Sequence, residues 1–209
     1  MKKILFISII FLCLFSKNIQ AQYKMFDVHF VSVDAGQYIT FNSPFKSIYN
    51  SRTLNLFSGN VGLYISDNID VFAEFGLAEK RSSQPISEIN GNITLEGSEK
   101  LDAWIIKIGI QYDLIYSNLS SIGIISGFSF TRLYQKSLLS NGINYNSNYN
   151  PFLGFMIGVI YEQKFSNFPI SIIVKSQLEL TGGNSIELND NFVNNLNGIN
   201  FSIGPKYHF

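Results

Sequence analysis

Gly198-Ile199-Asn200-Phe201-Ser202-Ile203-Gly204-Pro205-Lys206-Tyr207-His208-Phe209 is the stretch that decides how this chain is read. Along an extended strand, successive side chains point to opposite faces. Ile199, Phe201, Ile203, Tyr207 and Phe209 share one face; Gly198, Asn200, Ser202, Gly204, Lys206 and His208 share the other. One face is bulky and apolar, the other small or polar. The segment predicts a strand held between two different environments.

The same alternation recurs upstream. Phe57, Val61, Leu63 and Ile65 oppose Ser58, Asn60, Gly62 and Tyr64. Val71, Ala73, Phe75 and Leu77 oppose Asp70, Phe72, Glu74 and Gly76. The clearest run sets Trp104, Ile106, Ile108, Ile110, Tyr112 and Leu114 against Lys107, Gly109, Gln111 and Asp113. Ile122, Ile124, Phe128 and Phe130 face away from Gly123, Gly127, Ser129 and Thr131. Leu153, Phe155, Ile157, Val159 and Tyr161 oppose Gly154, Gly158 and Glu162. Ile170, Ile172, Val174, Leu178 and Leu180 oppose Ser171, Lys175, Gln177 and Glu179. A first strand falls within Met25 to Phe41, where a phase slip near Phe30-Val31 predicts a bulge or a late start.

Eight strands result, and their connections alternate long and short. Asn42 to Thr53, Glu79 to Lys100, Gln135 to Asn150 and Gly182 to Asn195 are long and rich in Asn, Ser or Gly. The links at Asp67-Asn68, Tyr116 to Ser120 and Lys164 to Pro169 are short. Short turns on one side and longer loops on the other characterise barrels that cross a bacterial outer membrane. Pro44, Pro85, Pro151 and Pro169 fall in loops or at strand starts, where a missing N–H does little harm. Pro205 sits inside the last strand and predicts a local break in the seam with strand one.

The rival fold is a secreted soluble barrel, which shows the same alternation with its faces exchanged. Here nine glycines fall on the polar face: Gly62, Gly76, Gly109, Gly123, Gly127, Gly154, Gly158, Gly198 and Gly204. An eight-stranded interior is just wide enough to be filled by side chains, so small residues belong inside. Bulky residues then face outward and need lipid. About 12 residues at ~3.3 Å, tilted ~45°, span roughly 28 Å, enough for the hydrocarbon layer. The expected fold is all-β: a closed antiparallel eight-stranded transmembrane up-and-down barrel.

Composition agrees. Only 14% of the 209 residues are charged, against ~25% in soluble proteins. No stretch after the start has the roughly 18 apolar residues of a membrane helix. Lys2 and Lys3, the apolar run Ile4 to Phe15 and the polar exit Ser16 to Ala21 form a secretory signal. Residues 1–21 are expected to be removed and 22–209 to form one barrel domain. A membrane anchor is the poorer reading, because the run is short and Lys17 closes it; bulky Leu12 before Cys13 argues against a lipoprotein. The mature chain then has no cysteine, so disulfide and thiol chemistry are excluded. Losing Lys2, Lys3 and Lys17 moves the formal charge from 0 to −3. No basic stripe remains, which excludes nucleic acid as a partner.

On these features the chain resembles the small bacterial outer-membrane β-barrels, of OmpA and OmpX type, and the PorT-like barrels of Bacteroidota. The resemblance covers most of the mature chain as an architecture, and its most specific element is the ending with Phe201, Ile203, Tyr207 and Phe209. In that family such an ending is read by the barrel-assembly machinery, so the resemblance implies this partner here. No peptidoglycan-binding domain is expected after Phe209, and wall anchoring is not implied.

Candidate chemistry lies on the polar face: Glu74, Asp113, Glu162 and Glu179 with Lys107, Lys175 and Lys206. Charges removed from water are tolerated when paired, so an ion-pair network plugging the lumen is expected; a charge-lined path for solute or protons is the alternative. Acid–base catalysis by these carboxylates needs substrate access that a filled lumen denies. Lipid A-modifying barrels use a histidine with serine or acid partners near the outer leaflet. His29 and His208 belong near the opposite rim, where a contact between them is conceivable but no metal motif is recognisable. Tyr112, Tyr116, Tyr161, Phe165, Phe168, Tyr207 and Phe209 are expected in one interfacial girdle, and Trp104, Phe130, Tyr134, Tyr149 and Phe152 in the other. Neither catalytic nor metal residues nor a cofactor are expected. Three functions stay open: a plugged, monomeric surface barrel whose loops serve stability, adhesion or an extracellular ligand; a narrow or gated pore; and a lipid-modifying enzyme.

Overall fold

The computed structural model describes residues 28–41, 45–46, 49, 51–66, 68–82, 87–89, 93–95, 97–139, 144–148, 151–182 and 196–209. The predicted export signal, residues 1–21, lies outside them, as do Tyr149 and most of the long links. Eleven strands follow in order: β1 (Val28–Thr40), β2 (Thr53–Ser66), β3 (Ile69–Ser82), β4 (Ser87–Ile89), β5 (Ile93–Leu95), β6 (Gly97–Tyr116), β7 (Ser120–Leu139), β8 (Asn144–Asn148), β9 (Phe152–Lys164), β10 (Ile170–Gly182) and β11 (Gly198–His208). Eight of them close an up-and-down antiparallel barrel in the order β6-β3-β2-β1-β11-β10-β9-β7, with β7 returning to β6. Closure gives the strands' backbone groups partners without water, which is what lets a sheet cross hydrocarbon. Among the described residues no helix is long and apolar enough to cross a membrane.

Face polarity follows the sequence pattern. Phe57, Leu77, Trp104, Ile106, Ile108, Ile110, Phe128, Leu153, Phe155, Ile157, Ile172, Val174, Phe201 and Ile203 are exposed on the outside. Ser58, Glu74, Lys107, Ser129, Glu162, Lys175, Glu179 and Lys206 are buried inside. A soluble barrel would have these sets exchanged. The exterior therefore matches an apolar solvent, and this is a transmembrane barrel.

The first strand carries its irregularity between Val28 and Phe30, where the register with β2 shifts. The slip is a bulge, slightly earlier than Phe30-Val31. The seam between β1 and β11 keeps one register from Phe30↔His208 to Thr40↔Gly198, but the pairs opposite Gly204 and Pro205 are missing. On its other edge Pro205 still sits opposite Ile172 of β10. The expected seam break is present, and the register passes through it unchanged.

Three expectations need correction. Parts of two long links are strand: β3 runs on to Ser82, β6 begins at Gly97, and β7 continues to Leu139, where β8 pairs with it. A small hairpin of β4 and β5 stands in the second link. Glu79, Lys80, Arg81, Ser98, Glu99 and Lys100 are all polar, so the sequence offers no apolar alternation to read there. Phe152 is not in the outer girdle; it is buried in the lumen. The lumen itself is not uniformly small and polar. Phe30, Phe72, Ile125, Met156, Ile160 and Ile173 form a smaller buried apolar cluster. Tyr38, Leu54, Leu56, Leu101, Ile105, Leu133, Phe152 and Leu196 belong to a larger one, which Phe45 and Tyr49 of the first long link join.

Candidate functional site

The lumen is layered. At the long-link end the larger apolar cluster lies in the bore, with Phe45 and Tyr49 in contact at a ring-centre distance of 4.6 Å. Tyr38 donates its hydroxyl hydrogen to the Leu196 carbonyl oxygen, tying strand one to the residue before β11 in this cluster.

Below it lies a buried charge layer. Lys107 of β6 is 0% exposed and sits between Glu74 of β3, at 3.0 Å, and Glu179 of β10. Its ammonium also donates to Gln177 at 2.7 Å. Lys175 of β10 reaches Glu74 at 2.8 Å and Asp34 of β1 at 2.5 Å. Asn60 donates to Asp34 at 2.8 Å and to Ser32 at 3.0 Å, and Asn200 donates to Glu179 at 2.7 Å. These residues come from β1, β2, β3, β6, β10 and β11, yet each charge finds an opposite one across the bore. A buried ion loses its hydration, so an arrangement of this kind holds only while every member keeps its partners. Asp34 Oδ1, Ser129 Oγ, Thr131 Oγ1, Gln177 Nε2 and Asn200 Oδ1 are buried without a partner among the described residues. A cavity of about 20 Å³ between Asn60, Glu74, Lys175, Gln177 and the smaller apolar cluster is the size of one buried water.

Under the smaller apolar cluster the bore opens into a cup of about 680 Å³ at the short-link end. Its wall includes His29, Asp70, Asp113, Glu162, Lys206 and His208, and its mouth includes Tyr64, Tyr116, Phe165 and Phe168. Lys206 donates to Glu162 at 2.8 Å and lies over the Phe30 ring at 3.8 Å. His208 Nε2 lies 2.6 Å from the other Glu162 oxygen and 3.1 Å from Ser171 Oγ. His29 Nδ1 lies 2.7 Å from Asp70 Oδ1. The two imidazoles touch, ring centres 5.7 Å apart.

Of the seven lumen residues singled out in the sequence, Glu74, Lys107, Lys175 and Glu179 come together. Glu162 and Lys206 form a separate pair in the cup. Asp113 joins neither and accepts from Gln111 at 3.0 Å. Asp34 is not among them, because its strand has no clear phase in the sequence; parity counted back from buried Tyr38 places it inside. Phe201 and Ile203 are exposed on the outer face of β11, and Phe209 just after it is exposed too, with Tyr207 half-buried against Phe209 at 5.1 Å between ring centres. Among the described residues no group of three or more metal-ligating side chains forms.

No protein-family model matches the chain, and no curated protein matches its sequence. Solved structures do match its shape. Neisserial surface protein A (NspA) superposes with a TM-score of 0.58 at 12% identity, over 86% of this chain and 96% of that one. A major outer membrane protein from Thermus thermophilus gives a TM-score of 0.58 at 11% identity, over 87% of this chain and 99% of that one. At such identity the likeness establishes the fold, that of small outer-membrane barrels.

Proposed function

We propose that this chain is a non-enzymatic, monomeric integral protein of a bacterial outer membrane, a closed barrel that holds its long links at the cell surface. Residues 1–21 direct export, and the outward Phe201, Ile203, Tyr207 and Phe209 present the barrel to the assembly machinery. The long links serve surface stability, adhesion or binding of an extracellular partner; function concentrates in loops carried by a rigid scaffold. The barrels it resembles in shape, NspA and the Thermus protein, support the location.

One observation carries the closed state. Lys107, with no exposed surface, is clamped by two carboxylates between two apolar layers. Eight strands leave no room for a water column once that layer is filled. Neither solute nor substrate reaches the carboxylates of that layer, which argues against a pore through it and against catalysis by Glu74 and Glu179. Planar-bilayer recording of the purified protein tests this: absence of steady conductance is expected, and an ohmic single-channel step from the wild type overturns it. Surface binding is tested by replacing residues 183–195 with a short Gly-Ser link; retention of every surface phenotype would remove the adhesion reading.

A further inference from the structure

The cup holds an arrangement that a plugged scaffold does not need. His29 and His208 are the only histidines in the chain, 179 positions apart, yet the closing seam brings their rings to 5.7 Å. Each ring has one nitrogen on a carboxylate: Nδ1 of His29 on Asp70 at 2.7 Å, and Nε2 of His208 on Glu162 at 2.6 Å. The other two nitrogens, Nε2 of His29 and Nδ1 of His208, have no hydrogen-bond partner among the described residues. Histidines that bind metal are characteristically held this way, the second nitrogen on a carboxylate that sets tautomer and orientation. Both rings are further fixed, His29 by the edge of Tyr64 at 5.7 Å and His208 by Ser171 at 3.1 Å. Two imidazoles sharing one ion at ~2.0–2.1 Å per nitrogen have centres roughly 5–6 Å apart. The observed separation of the ring centres lies in that range, with the ring planes at 66° to each other.

We propose that His29 and His208 jointly bind one borderline divalent ion, Zn²⁺ or Cu²⁺, in the cup. Asp70 and Glu162 act as positioning residues behind the two ligands, and water completes the coordination from the open cup. Imidazole donors select these ions over Mg²⁺ and Ca²⁺, with Cu²⁺ the tighter. An ion there ties β1 to β11 across the seam beside the gap at Pro205, so it binds the closed barrel and not the unfolded chain. The site is independent of whether the lumen is plugged.

The test uses the full chain folded in phosphatidylcholine vesicles, with Zn²⁺ alone and Cu²⁺ alone as probes. Competition against a chromophoric chelator is expected to show one Zn²⁺ per barrel. His29→Gln and His208→Gln should each weaken it by at least about 10-fold, and Asp70→Asn by about 10-fold through lost orientation. Heat-modifiable migration checks that each variant is folded. Electron paramagnetic resonance of wild-type protein with one Cu²⁺ should show coupling to two ring nitrogens, and to one in either histidine variant. Zinc affinity unchanged in the double variant overturns the proposal. So does a wild-type copper spectrum without imidazole coupling, a readout that needs no variant to fold.

Discussion

Replacing Lys107 by Met removes the central cation of the lumen while keeping its length. Around it, among the described residues, the ammonium groups facing Asp34, Glu74 and Glu179 are those of Lys107 and Lys175, so the layer carries one carboxylate more than it has ammonium groups. After the change Lys175 keeps Asp34 and Glu74 as its carboxylate partners. Glu74 keeps that lysine at 2.8 Å, but Glu179 is left with the Asn200 amide at 2.7 Å and no cation. Uncovering a buried charge in this way costs about 3–5 kcal/mol. Glu179→Gln acts oppositely: it removes the surplus charge and leaves Lys107 on Glu74 at 3.0 Å. Its cost should stay within about 1 kcal/mol. In the double variant no charge at 179 remains to be stranded, so it should be more stable than Lys107→Met alone by about 1–3 kcal/mol. Urea unfolding in phospholipid vesicles, followed by heat-modifiable migration, measures all three. A Lys107→Met cost below about 1 kcal/mol, or a double variant equal to the sum of the singles, refutes a mutually dependent charge layer.

Other substitutions probe other parts of the barrel. Ile108 is 60% exposed near the middle of β6; Ile108→Arg places a charge in hydrocarbon and should cost about 2–4 kcal/mol in vesicle unfolding. Gly127 faces Gly109 across β6 and β7, and a Cβ there would lie 2.5 Å from the Gly109 Cα; Gly127→Val should destabilise by about 1–3 kcal/mol through overpacking, with Gly182→Val, where the nearest atom is at 3.6 Å, as the tolerated control. Pro205→Val returns an N–H to the gap opposite β1 and should gain about 1 kcal/mol, with added amide protection in hydrogen exchange if the seam closes.

The exterior was legible because hydrocarbon imposes a rule on every second residue. Trp104 to Leu114 could be placed without any partner strand. The lumen obeys a weaker rule: whatever fits and is satisfied is allowed. Ile125, Met156 and Ile173 have the same parity as Gly127, Gly154 and Lys175, so their inward direction was readable, but nothing local announced that the bore alternates apolar and charged layers. Phe45 and Tyr49 lie in a link, where no period exists to be read. The charge layer is readable as a face, while its pairing depends on strand order and stagger, which decide that Lys107 meets Glu179 and that Asp113 meets no lysine among the described residues. The histidine pair is the sharpest case. Closure of β1 against β11 implied proximity, but the carboxylates on each ring come from β3 and β9, which no spacing in the chain connects.

Spin labels placed one at a time at Ile108, Phe155 and Ile172, with Ser129 as the inward comparison, test side-chain orientation most directly. In vesicles the three outward labels should relax strongly with dissolved oxygen and weakly with a water-soluble nickel chelate, and the label at 129 weakly with both. Outward labels reached by the nickel chelate as readily as a label in bulk water would contradict a barrel whose bulky face meets lipid.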